Sequence, residues 1–323
     1  MHRKHVPTNI LTFVAVLGAL AVPQVALAWG SATHFHFGKR LGHLLGYANV
    51  QEMYGAALPD VPTLMFSNPQ QQAFYEQTHF EYLTFVSQAR SLLSYKKAMA
   101  FGFASHNGDW GADATAHKHA ITLRGPNDGY VNEKVKQLEP LLRDLLKQFL
   151  KANGKTEAEA ETLALLLAPV LADTCIEAAV DFLVSENEFK AVGIEMILAA
   201  ETRDAFAPTM LASAYSSDVL PAPVIIAAEA LNREYIKTYG GVLALPSWSR
   251  LDALSQAIAT LATNVLNAPP YNLLFTVPTP LIRDSLDLAI LYVKHDYSKE
   301  LAATLAEVGR QLRLHGIWTS LMP

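Results

Sequence analysis

The sequence predicts an all-α protein, and three observations carry that expectation. Apolar residues recur at three- and four-residue intervals along most of the chain, strand-like alternation is hard to find, and the interruptions fall at turn-forming residues. The periodic segments cover roughly 36–47, 81–105, 131–152, 156–185, 189–202, 222–238, 247–267, 281–294 and 297–314. Thr156 followed by Glu159 has the form of a capping box opening the long 156–185 segment, and Pro169 within it predicts a kink. Gly125-Pro126-Asn127-Asp128-Gly129, Asn153-Gly154, Gly240-Gly241 and the Pro269-Pro270 to Pro278 stretch are read as boundaries between helices.

The amino terminus reads as a secretory signal. His2, Arg3, Lys4 and His5 form a basic start, Ile10 to Val22 an apolar run, and Ala26-Leu27-Ala28 a small-x-small cleavage site. The apolar run is about a dozen residues long, short of the roughly 20 that span a bilayer. Cleavage after Ala28 would send the chain to the periplasm or the extracellular space and leave a mature protein beginning at Trp29. The freed α-amine would lie five residues before His34, and an α-amine can bind a metal.

Of 323 residues, 25 are Lys or Arg and 30 are Asp or Glu, a formal net charge of −5 that advertises no nucleic-acid footprint. With a single cysteine, Cys175, an exported chain cannot be stapled by internal disulfides. Cys175 is expected to be a buried small apolar residue. Residues 1–28 are assigned to the signal, 29–185 to a metal-binding catalytic helical core, and 186–323 to a C-terminal helical part packing on the same domain. No obligate protein partner is evident.

Histidines cluster in the first half. His34, His36, His43, His79, His106, His117 and His119 all precede residue 120, whereas His295 and His315 are isolated and read as ordinary residues. Asp113 and His117 are four apart and would share a helix face, as would Asp173 and Glu177 on a later, strongly apolar helix. Two carboxylates on such a face are expensive to bury without a cation, although a solvated stripe continuing to Asp181 is the plainer alternative. Asp60, framed by Pro59 and Pro62, would alone be a turn residue, and His79 a structural histidine.

Taken in order, Trp29, His34, Asp60, His79, His106, Asp113, His117 and the pair Asp173/Glu177 resemble the ligand series of the zinc-dependent phospholipase C and single-strand nuclease superfamily. The resemblance spans about 29–180 and includes the Ser105-His106 context after the apolar run 100–104. Two departures stand out. The central aspartate follows the first histidine of its cluster by seven residues instead of the usual four, implying a loop around Gly108-Asp109-Trp110-Gly111. Asp109, Asp113 and His117 then form an i, i+4, i+8 stripe in which Asp109 could replace His106, just as His119 could replace His117. Asp173 also stands where the family usually has histidine, and a harder oxygen ligand opens that position to a divalent metal other than zinc.

The resemblance implies a multi-helix phospholipase C/nuclease-like bundle holding up to three Zn2+ ions. Its ligand sets would be His79, His106, Asp60 and Asp113; Trp29, His34 and a bridging Asp113; and His117, Asp173 and Glu177. It further implies a phosphodiester hydrolase that attacks with metal-activated water, with Asp60 as general base. The expected substrate is a phospholipid, reached by contact with a membrane surface, with single-stranded nucleic acid as the alternative. Val61, Pro62, Leu64, Met65, Phe66, Phe35, Phe37 and Trp110 would either line its cleft or belong to the core. Other classes considered are a non-catalytic metal-binding helical protein and a di-metal oxidase built on the Glu76-x-x-His79 motif.

Overall fold

The computed structural model describes residues 29–42, 46–65, 68–89, 94–267 and 276–317, and among these it is helical throughout, with no strand. The proposed signal, His43 and Phe66 lie outside the described residues. In chain order the α-helices are α1 (Ser31–Leu41), α2 (Gly46–Ala57), α3 (Gln71–Phe80), α4 (Tyr82–Ala89), α5 (Ser94–His106), α6 (Ala112–His117), α7 (Tyr130–Ala152) and α8 (Glu157–Leu183). They continue with α9 (Val192–Thr202), α10 (Ala207–Tyr215), α11 (Ala222–Leu243), α12 (Ser247–Asn267), α13 (Thr279–Val293) and α14 (Tyr297–Leu314). A 3₁₀ helix, Leu58–Leu64, follows α2, and one turn of π-helix, Val184–Glu188, follows α8.

The long central pair α7 and α8 follows from local chemistry. Leu138, Leu142, Leu146 and Leu150 make a buried four-residue stripe on α7. Gly154 turns the chain at φ 84°, and the Lys155 N–H closes back on the Leu150 carbonyl at 3.1 Å. The α8 capping box is formed: the Thr156 hydroxyl accepts from the Glu159 N–H at 3.3 Å, and the Glu159 carboxylate accepts from the Thr156 N–H at 2.9 Å. The helix then runs through Pro169 without ending. It is apolar and long enough to cross a membrane by length and composition, but 56% of its most apolar window is buried against other helices.

Four helices, α2, α3, α6 and α10, were not legible as periodic segments, and α6 is only six residues long. The α2 helix hides its pattern because Asn49, Gln51 and Glu52 on it are buried. The α3 helix has few apolar residues, and α10 is nine residues long. The expected 81–105 helix is divided into α4 and α5. Gly240-Gly241 is not a boundary, since α11 passes through it and Gly240 lies against the Gly193 backbone of α9.

The closest helix crossing places the first half of the site. A Cβ at Gly55 of α2 would collide with the Met99 carbonyl oxygen of α5, and one at Gly102 of α5 with the Glu52 carbonyl oxygen of α2. That intimacy lets the His106 Nδ1 at the end of α5 reach the Ala56 carbonyl at 2.8 Å. Around it lies an aromatic core that includes Trp29, Phe35, Phe37, Tyr54, Phe74, Phe85, Phe103 and Tyr130. Gly102→Ala should force α2 and α5 apart. A destabilisation of about 1–3 kcal/mol in chemical denaturation is expected, with weaker divalent-metal binding, because the His106 ring loses its anchor.

Candidate metal centre

Five elements converge on one buried point. His34 comes from α1, Asp60 from the 3₁₀ helix, His79 from α3, His106 from the last turn of α5, and Asp113 and His117 from α6. Asp173 and Glu177 face them from α8. Within these are three sets whose ligand atoms lie within 4.8 Å of one another: His34, Asp60 and His106; His79, His106 and Asp113; and His117, Asp173 and Glu177.

The tautomers of three histidines follow from their partners. His79 Nδ1 lies 2.9 Å from the Tyr75 carbonyl, His106 Nδ1 2.8 Å from the Ala56 carbonyl, and His117 Nδ1 3.3 Å from the Asn132 carboxamide oxygen. The Asn132 orientation is fixed in turn, because its NH2 donates to the His117 carbonyl at 2.9 Å. A carbonyl only accepts, so each Nδ1 carries the proton and each Nε2 presents a lone pair. The Nε2 atoms of His79 and His106 then face each other at 3.1 Å, with Asp60 Oδ1 3.8 Å and 3.5 Å away. Lone pairs so placed repel unless a proton or cation lies among them. Burial disfavours the proton, holding His79 down at about 4 and His106 below its ordinary value.

The third set has the same character. His117 Nε2 lies 3.6 Å from Glu177 Oε1 and 4.0 Å from Asp113 Oδ1. His34 is fully buried, its ring stacked on His106 at 3.9 Å, and burial holds its pKa well down. Both His34 nitrogens, Asp60 Oδ1, Asp113 Oδ1, His117 Nε2 and Glu177 Oε1 are buried without a hydrogen-bond partner. Each such atom costs about 1–3 kcal/mol in a chain that leaves it unsatisfied. Neutral imidazoles and clustered carboxylates are a donor set for divalent cations, so these groups can bind metal ions.

The geometry separates alternatives that the sequence left open. Asp109 is half-exposed and near Lys118, because α5 ends at His106 and residues 108–110 form a turn. The Asn107 side-chain oxygen accepts there from the Asp109, Trp110 and Gly111 N–H groups. The uninterrupted Asp109–Asp113–His117 stripe therefore does not exist. His119 is exposed and faces Glu307. Asp113 falls with His79 and His106 and faces His117, whereas His34 groups with Asp60 and His106, so His106 is the residue common to the two neighbouring sets. Glu76 is exposed and holds Gln72, which leaves the oxidase motif without its carboxylate. Cys175 is buried and free, its thiol pKa pushed up by burial.

Asp181 is not on a solvated stripe. It lies one turn beyond Glu177, fully buried, and accepts from the Ala32 N–H at 3.0 Å, the Thr33 N–H at 2.8 Å and the Thr33 hydroxyl at 2.7 Å. It thus caps the start of α1, where no side chain of α1's own N-cap does so. Gly30 packs on the same carboxylate. One helix, α8, therefore carries two ligand candidates and the group that docks the segment bearing Trp29 and His34. Trp29 is held from the other side, donating through Nε1 to the Thr115 hydroxyl of α6 at 3.1 Å and stacking on Tyr130. The Thr304 hydroxyl of α14 reaches the same Thr115 oxygen at 3.0 Å.

A cavity of about 210 Å³ opens beside the cluster. Trp29, Asp60 and Glu177 line one part of it, and the rest is mainly apolar: Leu146 and Phe149 of α7, Leu167 and Leu171 of α8, Ile258 and Leu266 of α12. Much of its wall therefore comes from beyond residue 186, the part expected to pack around the metal-bearing helices. Leu64 lines it as well, but Val61, Phe35 and Phe37 are core, and Trp110 is packed against Tyr82 and His315. Comparison with protein-family models, with curated proteins and with solved structures found no match.

Two outcomes are expected. Burial raises Asp60 to about 6 and Glu177 well above its usual value, while it lowers His34, His79 and His106. The proton that competes with a metal therefore sits on the carboxylates. Calorimetric titration of the metal-stripped chain should show affinity falling about tenfold or more per pH unit below 6, with proton uptake by the freed site. Asp181→Ala should lower stability by about 1–2 kcal/mol in thermal denaturation through loss of the α1 cap, and should weaken the metal site nearest His34 more than the His117 site.

Proposed function

We propose that this chain is an exported, metal-dependent phosphodiester hydrolase acting in the manner of a zinc-dependent phospholipase C. The observation that carries the proposal is the convergence of buried, unpartnered ligand atoms at the mouth of a mainly apolar cavity. The residues fit up to three Zn2+ ions. His79, His106, Asp113 and Asp60 would hold one, Asp60 and His34 with the freed Trp29 amine its neighbour, and His117, Asp173 and Glu177 the third. Bound there, the cations would activate water and draw charge from a phosphodiester during in-line displacement.

The protein's own groups define the remainder. The carbonyls of Tyr75 and Ala56 and the Asn132 amide hold three imidazoles in the tautomer that offers Nε2 to the site. Asp60 Oδ1 is buried at the histidine pair, yet the side chain keeps 14% exposure and lines the cavity. A carboxylate that lies beside the histidine pair and also lines the cavity is placed to take the proton from attacking water. The aliphatic walls favour a phospholipid over a nucleic acid. A single-strand nuclease would need free aromatic faces for base stacking, whereas Trp29 is already stacked on Tyr130.

The test assays the metal-loaded mature chain, beginning at Trp29, against phosphatidylcholine, a soluble aryl phosphocholine and single-stranded DNA. Hydrolysis of the first two is expected, and Asp60→Asn should keep most of the metal while losing about 100-fold or more in kcat. Cleavage of DNA alone would assign the nuclease activity instead. Three tightly bound metals with no turnover on any substrate would mark a non-catalytic metal-binding protein.

A further inference from the structure

Beyond the ligands, one polar side chain in the cavity wall keeps a buried donor without a partner. Asn232, on α11, is 2% exposed, and its side-chain NH2 has no hydrogen-bond acceptor. It lines the same cavity as Asp60 and Glu177, amid the apolar side chains of α7, α8 and α12. Tyr235, one turn further on the same face of α11, also lines the cavity, and its hydroxyl is engaged with Ser31. An unsatisfied buried amide donor is costly, and a leucine would fill this position more favourably. Its neighbours differ in this respect: Glu229, one turn earlier on α11, is also buried but is satisfied by the Tyr54 hydroxyl at 2.6 Å and by Arg203.

We infer that Asn232 is a substrate-orienting residue whose side-chain NH2 donates to a non-bridging phosphoryl oxygen of the substrate. This inference rests on the phosphodiesterase reading of the site. The chemistry matches the position. A phosphodiester carries acceptor oxygens with negative charge, and a neutral amide donor aimed at one adds a hydrogen bond without placing a further charge beside the buried carboxylates and metals. Among apolar walls, such a donor acts on the reacting group more strongly than it would in bulk solvent. It also places a determinant of substrate recognition in the half of the chain that holds no metal ligand.

The role gives a signature that a packing residue would not. Asn232→Leu removes an unsatisfied donor and should raise the melting temperature of the substrate-free, metal-loaded protein. It should leave the number of bound metals unchanged while lowering kcat/KM about 10- to 100-fold. The fall should be the same for the soluble aryl phosphocholine and for phosphatidylcholine, because both present the phosphoryl oxygen. Asn232→Gln, which keeps the donor on a longer arm, should recover part of the loss. A kcat/KM within twofold of the unsubstituted protein would overturn the assignment. So would a loss confined to phosphatidylcholine, which would direct the donor to an acyl carbonyl, or a fall in metal content. Absence of turnover in the unsubstituted protein would instead defeat the phosphodiesterase reading on which the inference stands.

Discussion

The structure is organised around a buried repulsion. Four imidazoles and four carboxylates from six helical elements are directed at one largely buried volume. The hydrogen bonds that could have relieved them are committed on the outer side of the rings, to Tyr75, Ala56 and Asn132. The inward atoms are left facing one another, with the His79 and His106 nitrogens 3.1 Å apart. Protonation would ease the contact, but burial pushes the histidines toward neutrality. Divalent cations could relieve these contacts together, and their binding would then be coupled to the stability of the fold.

That constraint explains why so much of the rest is rigid. The α2–α5 crossing leaves no room for a Cβ at Gly55 or Gly102, and at its end the His106 ring reaches the Ala56 carbonyl. The α8 helix holds Asp173 and Glu177 in register and, a turn later, caps α1 through Asp181. Trp29 is pinned between Thr115 and Tyr130, so the two ends of the ligand series are tied through the same few helices. The C-terminal helices complete the arrangement by walling the cavity from the far side, and Asn232 is the polar exception in that wall.

Much of this was legible in the chain. Helical class follows from three- and four-residue periodicity, which depends on local geometry alone, and α7, α8, α12, α13 and α14 lie within a few residues of their expected limits. The capping box at Thr156 and Glu159 is as local a signal and forms as expected. The ligand candidates were visible as spaced pairs and as an order along the chain, since four-residue spacing puts Asp113 with His117 and Asp173 with Glu177 on common faces. Where periodicity failed, the reason lies in tertiary burial: α2 buries Asn49, Gln51 and Glu52, so its polar residues disguise an interior helix.

The sequence by itself determined the helices, the residue types able to hold metal, and the pairs that share a face. Tertiary structure decided which candidates meet. It excluded Asp109 because α5 ends at His106 and Asn107 folds the next residues into a turn, excluded His119 because it points outward, and grouped His34 with Asp60 rather than Asp113. It also turned Asp181 from an apparent surface carboxylate into a buried helix cap and brought α11, α12 and α13 to the cavity. The physical reason is range. Periodicity and capping are set within one or two turns of chain, whereas a pair such as Thr33 and Asp181 meets only after the helices between them have packed.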